Sequence, residues 1–241
     1  MFDHVTIRVS DRAASERFYT SVLGAIGIDE SYSDDQFTEW NDFSLTQATA
    51  WNPVTRGLHI GFGASSRERV DEFWQAGIDA GYQSDGEPGT RSEYGDDYYG
   101  GFLLDPDGNS AEAVHFEDVR RGIDHLWVRV ADVQASKRFY ETIAPHVRMG
   151  ERTDTPERVM FAGGESGSFS VLSGDHVTEH LHMAFTAADD RAVDDFHQAA
   201  IEGGYRDNGT PGERPAYHRG YYSAYVLDPD GHNIELVNHN R

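Results

Sequence analysis

The chain repeats itself. Residues 86–112 return at 209–235 with 13 of 27 positions identical and no gap. Upstream, His4 in DHVTIRVSD reappears as His125 in DHLWVRVAD, and His59 in LHIGF reappears as His182 in LHMAF. Each half therefore carries one His, His, Glu set: His4, His59, Glu112 and His125, His182, Glu235, spaced 55 then 53 residues and 57 then 53. A duplication that scrambles most neighbours yet keeps two imidazoles and a carboxylate in register predicts two copies of one domain, with a metal site in each.

The repeat divides the 241 residues into a first domain over 1–116, a linker over 117–122 (EDVRRG) and a second domain over 123–241, each near a common domain size. The formal net charge is −22, and Lys137 is the only lysine among the 20 basic residues. Such a surface repels phosphate backbones and anionic lipid, which excludes nucleic-acid and membrane partners. It suits a salt-rich cytosol, where screening relieves self-repulsion, and equally an ordinary acidic soluble protein. Without cysteine, neither disulfides nor thiolate ligands are available. Met1 leads straight into a strand-like pattern, and no apolar run approaches the ~18 residues of a membrane span. The expected location is the cytoplasm.

A finer repeat lies inside each half. Residues 3–9 alternate Val5, Ile7 and Val9 with His4, Thr6 and Arg8, the period-two pattern of a half-buried strand. Asp11 is placed to cap a helix through Leu23 with an apolar face of Phe18, Val22 and Leu23, and Gly24 marks its exit. Residues 58–62 are strand-like again, and Ser65 with Glu68 predicts a capping box before a second helix. The same opening recurs over 123–143 and 181–202, and turn-rich extended pieces such as DFSLTQ, GGFLLD, GSFSVL and SAYVLD follow each helix. Four units of strand, helix and about three strands favour paired units whose sheets curve round a cleft, with helices outside. Leu126, Val128 and Val130 lie opposite His125 in the alternation, and Ile234 and Leu236 opposite Glu235, so the ligand candidates point into the cleft.

The segments HVTIRVSDRAASERFYTSVLG and LLDPDGNSAE, with their copies HLWVRVADVQASKRFYETI and VLDPDGHNIE, resemble the vicinal oxygen chelate superfamily of glyoxalases, bleomycin-resistance proteins and type I extradiol dioxygenases. The resemblance covers almost the whole chain. It implies an α+β fold of four βαβββ units forming two tandem domains with curved mixed sheets. It leaves the activity open, because the fold hosts metal enzymes and metal-free drug binders alike.

Two imidazoles and one carboxylate leave about three positions free on an octahedral ion such as Fe(II), Mn(II), Ni(II) or Zn(II), enough for a substrate that chelates through adjacent oxygens. Cleft-facing polar residues without a metal are the alternative. Glyoxalase I-type sites have a fourth protein ligand, which would fall in DFSLTQ or GSFSVL, and Gln47 is the candidate there. In the second half His218, Tyr225, Asp228, Pro229, Gly231 and Glu235 resemble the extradiol dioxygenase signature, from which Ala216 and Ala224 depart. The resemblance makes His218 and Tyr225 the catalytic candidates. The first half has Gly95 and Phe102 in their places, which makes it the candidate scaffold.

Arg91, Tyr94, Tyr98 and Tyr99 are matched by Arg214, Tyr217, Tyr221 and Tyr222. They form either a substrate-binding mouth, with Arg91, Tyr98, Arg214 and Tyr221 in contact, or a structured loop packed on a helix. Gly86, Pro88 and Gly89 fit loop geometry. Trp127 follows His125 by two residues and should wall the same cleft, whereas Trp40, Trp51 and Trp74 fit core or interface positions. His115, His176, His180, His197 and His239 have no counterpart in the other half and are assigned to the surface or to structure. The expected function is a divalent-metal-dependent enzyme for a small vicinal-oxygen molecule, dioxygenase-like or an isomerase or lyase. In it His125, His182 and Glu235 hold the ion while Tyr225 or His218 moves a proton. The rival is a metal-free protein that sequesters an aromatic drug or metabolite. Either works on a small molecule, with a homodimer as the assembly left open.

Overall fold

The computed structural model describes residues 2–163 and 167–240. Its elements follow the four sequence units. The first runs through β1 (Phe2–Val9), α1 (Arg12–Ala25), β2 (Tyr32–Ser33), β3 (Phe37–Trp40) and β4 (Phe43–Gln47). The second holds β5 (His59–Gly63), α2 (Arg67–Asp79), β6 (Ser84–Thr90), β7 (Tyr99–Leu104) and β8 (Ser110–His115). The third holds β9 (Gly122–Arg129), α3 (Val133–Val147), β10 (Met149–Asp154), β11 (Arg158–Gly163) and β12 (Ser168–Leu172). The fourth holds β13 (His182–Thr186), α4 (Asp190–Glu202), β14 (Arg206–Glu213), β15 (Tyr222–Leu227) and β16 (Asn233–Asn238). The fold is α+β, with four βαβββ units as predicted.

Among the described residues the strands form two mixed, unclosed sheets of eight, in the orders β14-β15-β16-β13-β1-β4-β3-β2 and β10-β11-β12-β9-β5-β8-β7-β6. β13 pairs parallel with β16, and β5 pairs parallel with β8 and antiparallel with β9. The chain parts into two compact units: Thr6–Trp127, here the N-terminal unit, and Met1–Val5 with Val128–Arg241, the C-terminal unit. The cuts fall inside β1 and β9. The start of β1, with His4, therefore belongs to the C-terminal unit, and the start of β9, with His125, to the N-terminal one. Residues 117–122 lie within the N-terminal unit, between β8 and β9 except for Gly122, which opens β9.

The alternation read from the sequence is realised. Val5, Ile7 and Val9 are fully buried, as are Leu126, Val128, Ile234 and Leu236. Asp11 caps α1 by accepting from the Ala14 N–H at 3.0 Å, a contact that contributes about 1 kcal/mol. α1 runs past the predicted exit to Ala25. The left-handed residue that ends it is Gly27, at φ +76°, so Gly24 is an ordinary helical residue. α2 is capped by Ser66, one residue after the predicted Ser65: Ser66 is extended, at φ −159°, and accepts from the Arg69 N–H.

The repeated DPDG motif is a turn lock. Asp105 accepts from the backbone N–H of Asp107 and Asn109 and from the Tyr19 hydroxyl of α1. Asp228 accepts likewise from Asp230, His232 and Tyr140. Gly108 and Gly231 stand at φ +84° and +85°, which favours glycine strongly. No helix among the described residues is long and apolar enough to cross a membrane.

Candidate metal centres

The six predicted ligands converge in two clusters, but not in the sets that the halves suggest. His4, His182 and Glu235 meet in the C-terminal unit, and His59, Glu112 and His125 in the N-terminal unit. The sets His4, His59, Glu112 and His125, His182, Glu235 are thereby corrected. The cause is strand pairing: β9 lies beside β5, with His125 opposite Gly61, and the β1 segment that carries His4 belongs with β13 and β16. Sequence register cannot say which copy of the first strand completes which site.

In the N-terminal unit, His59 Nε2 lies 3.1 Å from His125 Nε2 and 3.0 Å from Glu112 Oε2, and His125 Nε2 lies 3.2 Å from the same oxygen. Donors bound at right angles to one ion at about 2.1 Å stand about 3 Å apart, so these separations fit one divalent ion. The outer nitrogens are committed elsewhere. His125 Nδ1 is 2.9 Å from Asp124 Oδ2, and His59 Nδ1 is 3.1 Å from the Ser110 hydroxyl, which donates to Asp85. Such partners make Nε2 the nitrogen that an ion would take, in exchange for its proton. Glycine provides the room: a Cβ at Gly61 would run into the His125 ring, and one at Gly100 into Glu112 Oε1.

The C-terminal cluster repeats this with small offsets. His4 Nε2 is 3.1 Å from His182 Nε2 and 3.6 Å from Glu235 Oε2, and His182 Nε2 is 3.2 Å from that oxygen. Asp3 Oδ1 is 2.9 Å from His4 Nδ1, whereas His182 Nδ1 meets Asn233 twice, its side-chain amide nitrogen at 2.8 Å and its backbone carbonyl at 3.2 Å. Ala184 and Ser223 stand where the other unit has Gly61 and Gly100. The His4 side chain is 25% exposed against 7% for His125, consistent with a methyl occupying the space that Gly61 leaves open.

The electrostatics follow from burial and pairing. Burial alone would raise the Glu112 carboxyl, but hydrogen bonds from His125 and His59 reverse it and hold it well below the usual range. Burial also disfavours the His125 cation, and Asp124 with Glu112 outweigh it, lifting His125 to about 9. Glu235 is lowered against its burial by His182 and His4. Tyr98 and Tyr221 each donate a 2.8 Å hydrogen bond to the remaining oxygen of Glu112 and Glu235. Burial and that carboxylate charge push both phenols far upward, so they stay protonated.

The remaining candidates divide. Trp127 packs on His59 at 4.9 Å between centroids and meets Tyr94 edge-on at 5.3 Å, so it walls the N-terminal cluster. Tyr225 stands 6.3 Å from the His182 ring, with its phenol raised first by burial and then by Glu235. Arg91 lies over Phe102 and donates to the Glu87 carbonyl; Arg214 lies over Tyr225 and donates to the Thr210 carbonyl. Both guanidinium groups thus brace the loop and the ring beneath. Tyr99 and Tyr222 donate to Asp71 and Asp194 on the adjoining helices. The Gln47 amide is taken up by the Val9 and Ser10 carbonyls and the Arg12 N–H, and it joins neither cluster. Trp40 is core, whereas Trp51 is exposed rather than core.

His218 is paired with a second histidine. Its Nε2 lies 2.8 Å from His239 Nδ1, and His239 Nε2 lies 2.8 Å from Asp3 Oδ2. His239, assigned from sequence to the surface or structure, is thus joined through Asp3 to His4. No repeat signal marks it, because Phe116 is its counterpart. The Asp before each first histidine was visible as the repeated DH.

The model of the Glyoxalase/Bleomycin resistance protein/Dioxygenase superfamily matches residues 1–113 and again 122–236. Among solved structures, glyoxalase I from Zea mays is similar with TM-score 0.72 and 20% identity, over 99% of this chain and 92% of that one. A putative dioxygenase from Bacillus subtilis is similar with TM-score 0.69 and 14% identity, over 100% of this chain and 85% of that one. At these identities the likeness is one of fold. No curated protein matches the sequence.

Proposed function

Because the chain belongs to the Glyoxalase/Bleomycin resistance protein/Dioxygenase superfamily, we propose that it is a divalent-metal-dependent enzyme acting in the cytoplasm on a small molecule with two adjacent oxygens. The observation that carries this is the convergence of two imidazole nitrogens and one carboxylate oxygen within 4.8 Å of one another, twice. Each set would supply three donors to an ion and leave positions for a chelating ligand. His4, His182 and Glu235 would hold one ion, and His59, Glu112 and His125 the other. A bound ion would supply Lewis acidity to the substrate oxygens and favour their enolate or catecholate form.

The protein's own groups then divide the work. Tyr225, kept protonated by burial and by Glu235, offers a hydrogen bond or a proton to substrate in the C-terminal unit. Tyr98 and Tyr221 hold the glutamates in place. Trp127 offers a flat wall in the N-terminal unit, and the Arg91 and Arg214 loops shape the two mouths. Dioxygenase-like chemistry and isomerase or lyase chemistry both suit a three-ligand site.

The aromatic wall of Trp127, Tyr94 and Phe102 beside His59 favours a second reading, a metal-free protein that sequesters a planar aromatic compound. Elemental analysis of protein purified without chelator separates the two, alongside His4→Ala and His125→Ala. The expected result is about two equivalents, each variant losing one. Metal absent, and not restored by Fe(II), Mn(II), Ni(II) or Zn(II), overturns the enzyme and leaves the binder.

A further inference from the structure

We infer that His239 is a positioning residue of the C-terminal centre, acting through a cationic pair that it forms with His218; the role rests on the metal-centre reading above. The argument is a proton count. An imidazole nitrogen facing a carbonyl or carboxylate oxygen must carry the hydrogen, because such oxygens only accept. His218 Nδ1 faces the Arg219 carbonyl at 2.9 Å, and His239 Nε2 faces Asp3 Oδ2 at 2.8 Å. Both are therefore N–H donors. Two neutral rings would then turn lone pairs toward each other across the 2.8 Å between His218 Nε2 and His239 Nδ1. One added proton converts that repulsion into a hydrogen bond, so the pair holds three protons on four nitrogens and one positive charge. The rings lie edge to edge and nearly coplanar, with centroids 5.1 Å apart and planes at 17°.

The charge has a counterpart and a consequence. Asp3 is the anion, and its other oxygen lies 2.9 Å from His4 Nδ1. Pinned from one side by His239, the Asp3 carboxylate fixes the His4 ring with Nδ1 toward Asp3, so that Nε2 is the nitrogen turned to His182 and Glu235 and the one that would bind an ion. Among the described residues, the Tyr221 ring lies 5.3 Å from His218 and 5.2 Å from His239, and Thr186 of β13 donates to Asp3 Oδ2 at 3.3 Å. Tyr221 in turn donates to Glu235. Gly95 and Phe116 occupy the matching places in the N-terminal unit, where Asp124 holds His125 without such a pair. The C-terminal centre, whose His4 is the more exposed, is the one that carries the clamp.

The test uses the full chain, labelled with nitrogen-15. Multiple-bond proton–nitrogen NMR of the histidine rings at neutral pH should find three protonated nitrogens across His218 and His239, one proton bridging them. Two protons on the pair would overturn the count. The role is read from zinc affinity in a His59→Ala background, which leaves the C-terminal centre alone. His239→Phe, the residue of the other unit, should weaken zinc by about tenfold, the low end for an outer-shell partner. His239→Gln, whose amide can donate to Asp3, should regain most of it. Unchanged affinity in a folded His239→Phe protein overturns the positioning role. If the unaltered chain binds no zinc, the proposed function fails and the role with it, while the NMR count stands or falls by itself.

Discussion

The two centres share a ligand frame and differ in what surrounds it. In the N-terminal unit the ligands are buried under carbon: Trp127 and Phe102 lie against His59, and Gly61 lets His125 sink among them. In the C-terminal unit Tyr225 replaces Phe102, and His218 with His239 replace Gly95 with Phe116; Thr6, the counterpart of Trp127, falls in the N-terminal unit, where its hydroxyl pairs with that of Ser44. One centre is walled by rings and the other by hydroxyls and imidazoles. Donor geometry is set by strand register and survives duplication, whereas the surroundings hang on side chains that register does not constrain. Metal competence and substrate preference can therefore be broken separately.

The largest effect should come from pairs of ligand variants. His4→Ala with His182→Ala removes two donors from one centre, and about one equivalent of metal should remain. His4→Ala with His59→Ala removes one donor from each, and both should be lost. The opposite pattern, with one equivalent surviving His4→Ala and His59→Ala, would restore the grouping by halves.

Next come the residues that seat the first histidine. Gly61→Ala places a methyl against the His125 ring, an overpacking that costs about 1–3 kcal/mol. Metal affinity at the N-terminal centre should fall by about tenfold or more. Ala184→Gly makes the reverse exchange in the other unit and should not weaken its centre. Equal losses from both would show that the glycine is not what separates the two histidines.

Acidity gives a smaller, graded difference. His125 is lifted to about 9, so at neutral pH it holds a proton that an incoming ion must displace. Affinity at the N-terminal centre should rise about tenfold per pH unit, levelling above about 9 once the lone pair is free. Isothermal titration in buffers of different ionisation enthalpy measures the proton released. An affinity flat from pH 7 to 9 would place the proton elsewhere.

The period-two strands, the four βαβββ units and all six ligand candidates were legible because duplication holds backbone register, and a side chain's face is fixed by parity. Which histidine completes which site was not legible, because β1 and β9 resemble each other closely enough to fit either partner, and only the pairing of β9 with β5 decides. His239 escaped because its role comes from a contact with Asp3, 236 residues away in sequence, and no periodicity marks such a contact. Nothing in the sequence marks Gly61 or Gly100; their meaning lies in the His125 ring and the Glu112 carboxylate that press on them.

The smallest effect tests the hydroxyls behind the glutamates. Tyr98 and Tyr221 make the same 2.8 Å hydrogen bond to Glu112 and Glu235, so equal losses on conversion to phenylalanine would be the naive expectation. The units differ in the next ring, however. Phe102 has no hydroxyl to offer Glu112, whereas Tyr225 lies close enough to Glu235 for that charge to raise its phenol. Tyr98→Phe should therefore cost about 1.5 kcal/mol of stability, the low end for a hydrogen bond to a charged group. Tyr221→Phe should cost about 0.5 kcal/mol, because Tyr225 takes over the oxygen. Thermal unfolding of the metal-free variants reads the difference, and Tyr221→Phe with Tyr225→Phe should bring the C-terminal loss up to that of Tyr98→Phe. If Tyr221→Phe alone already costs as much, Tyr225 does not share the carboxylate, and its phenol is left to face substrate.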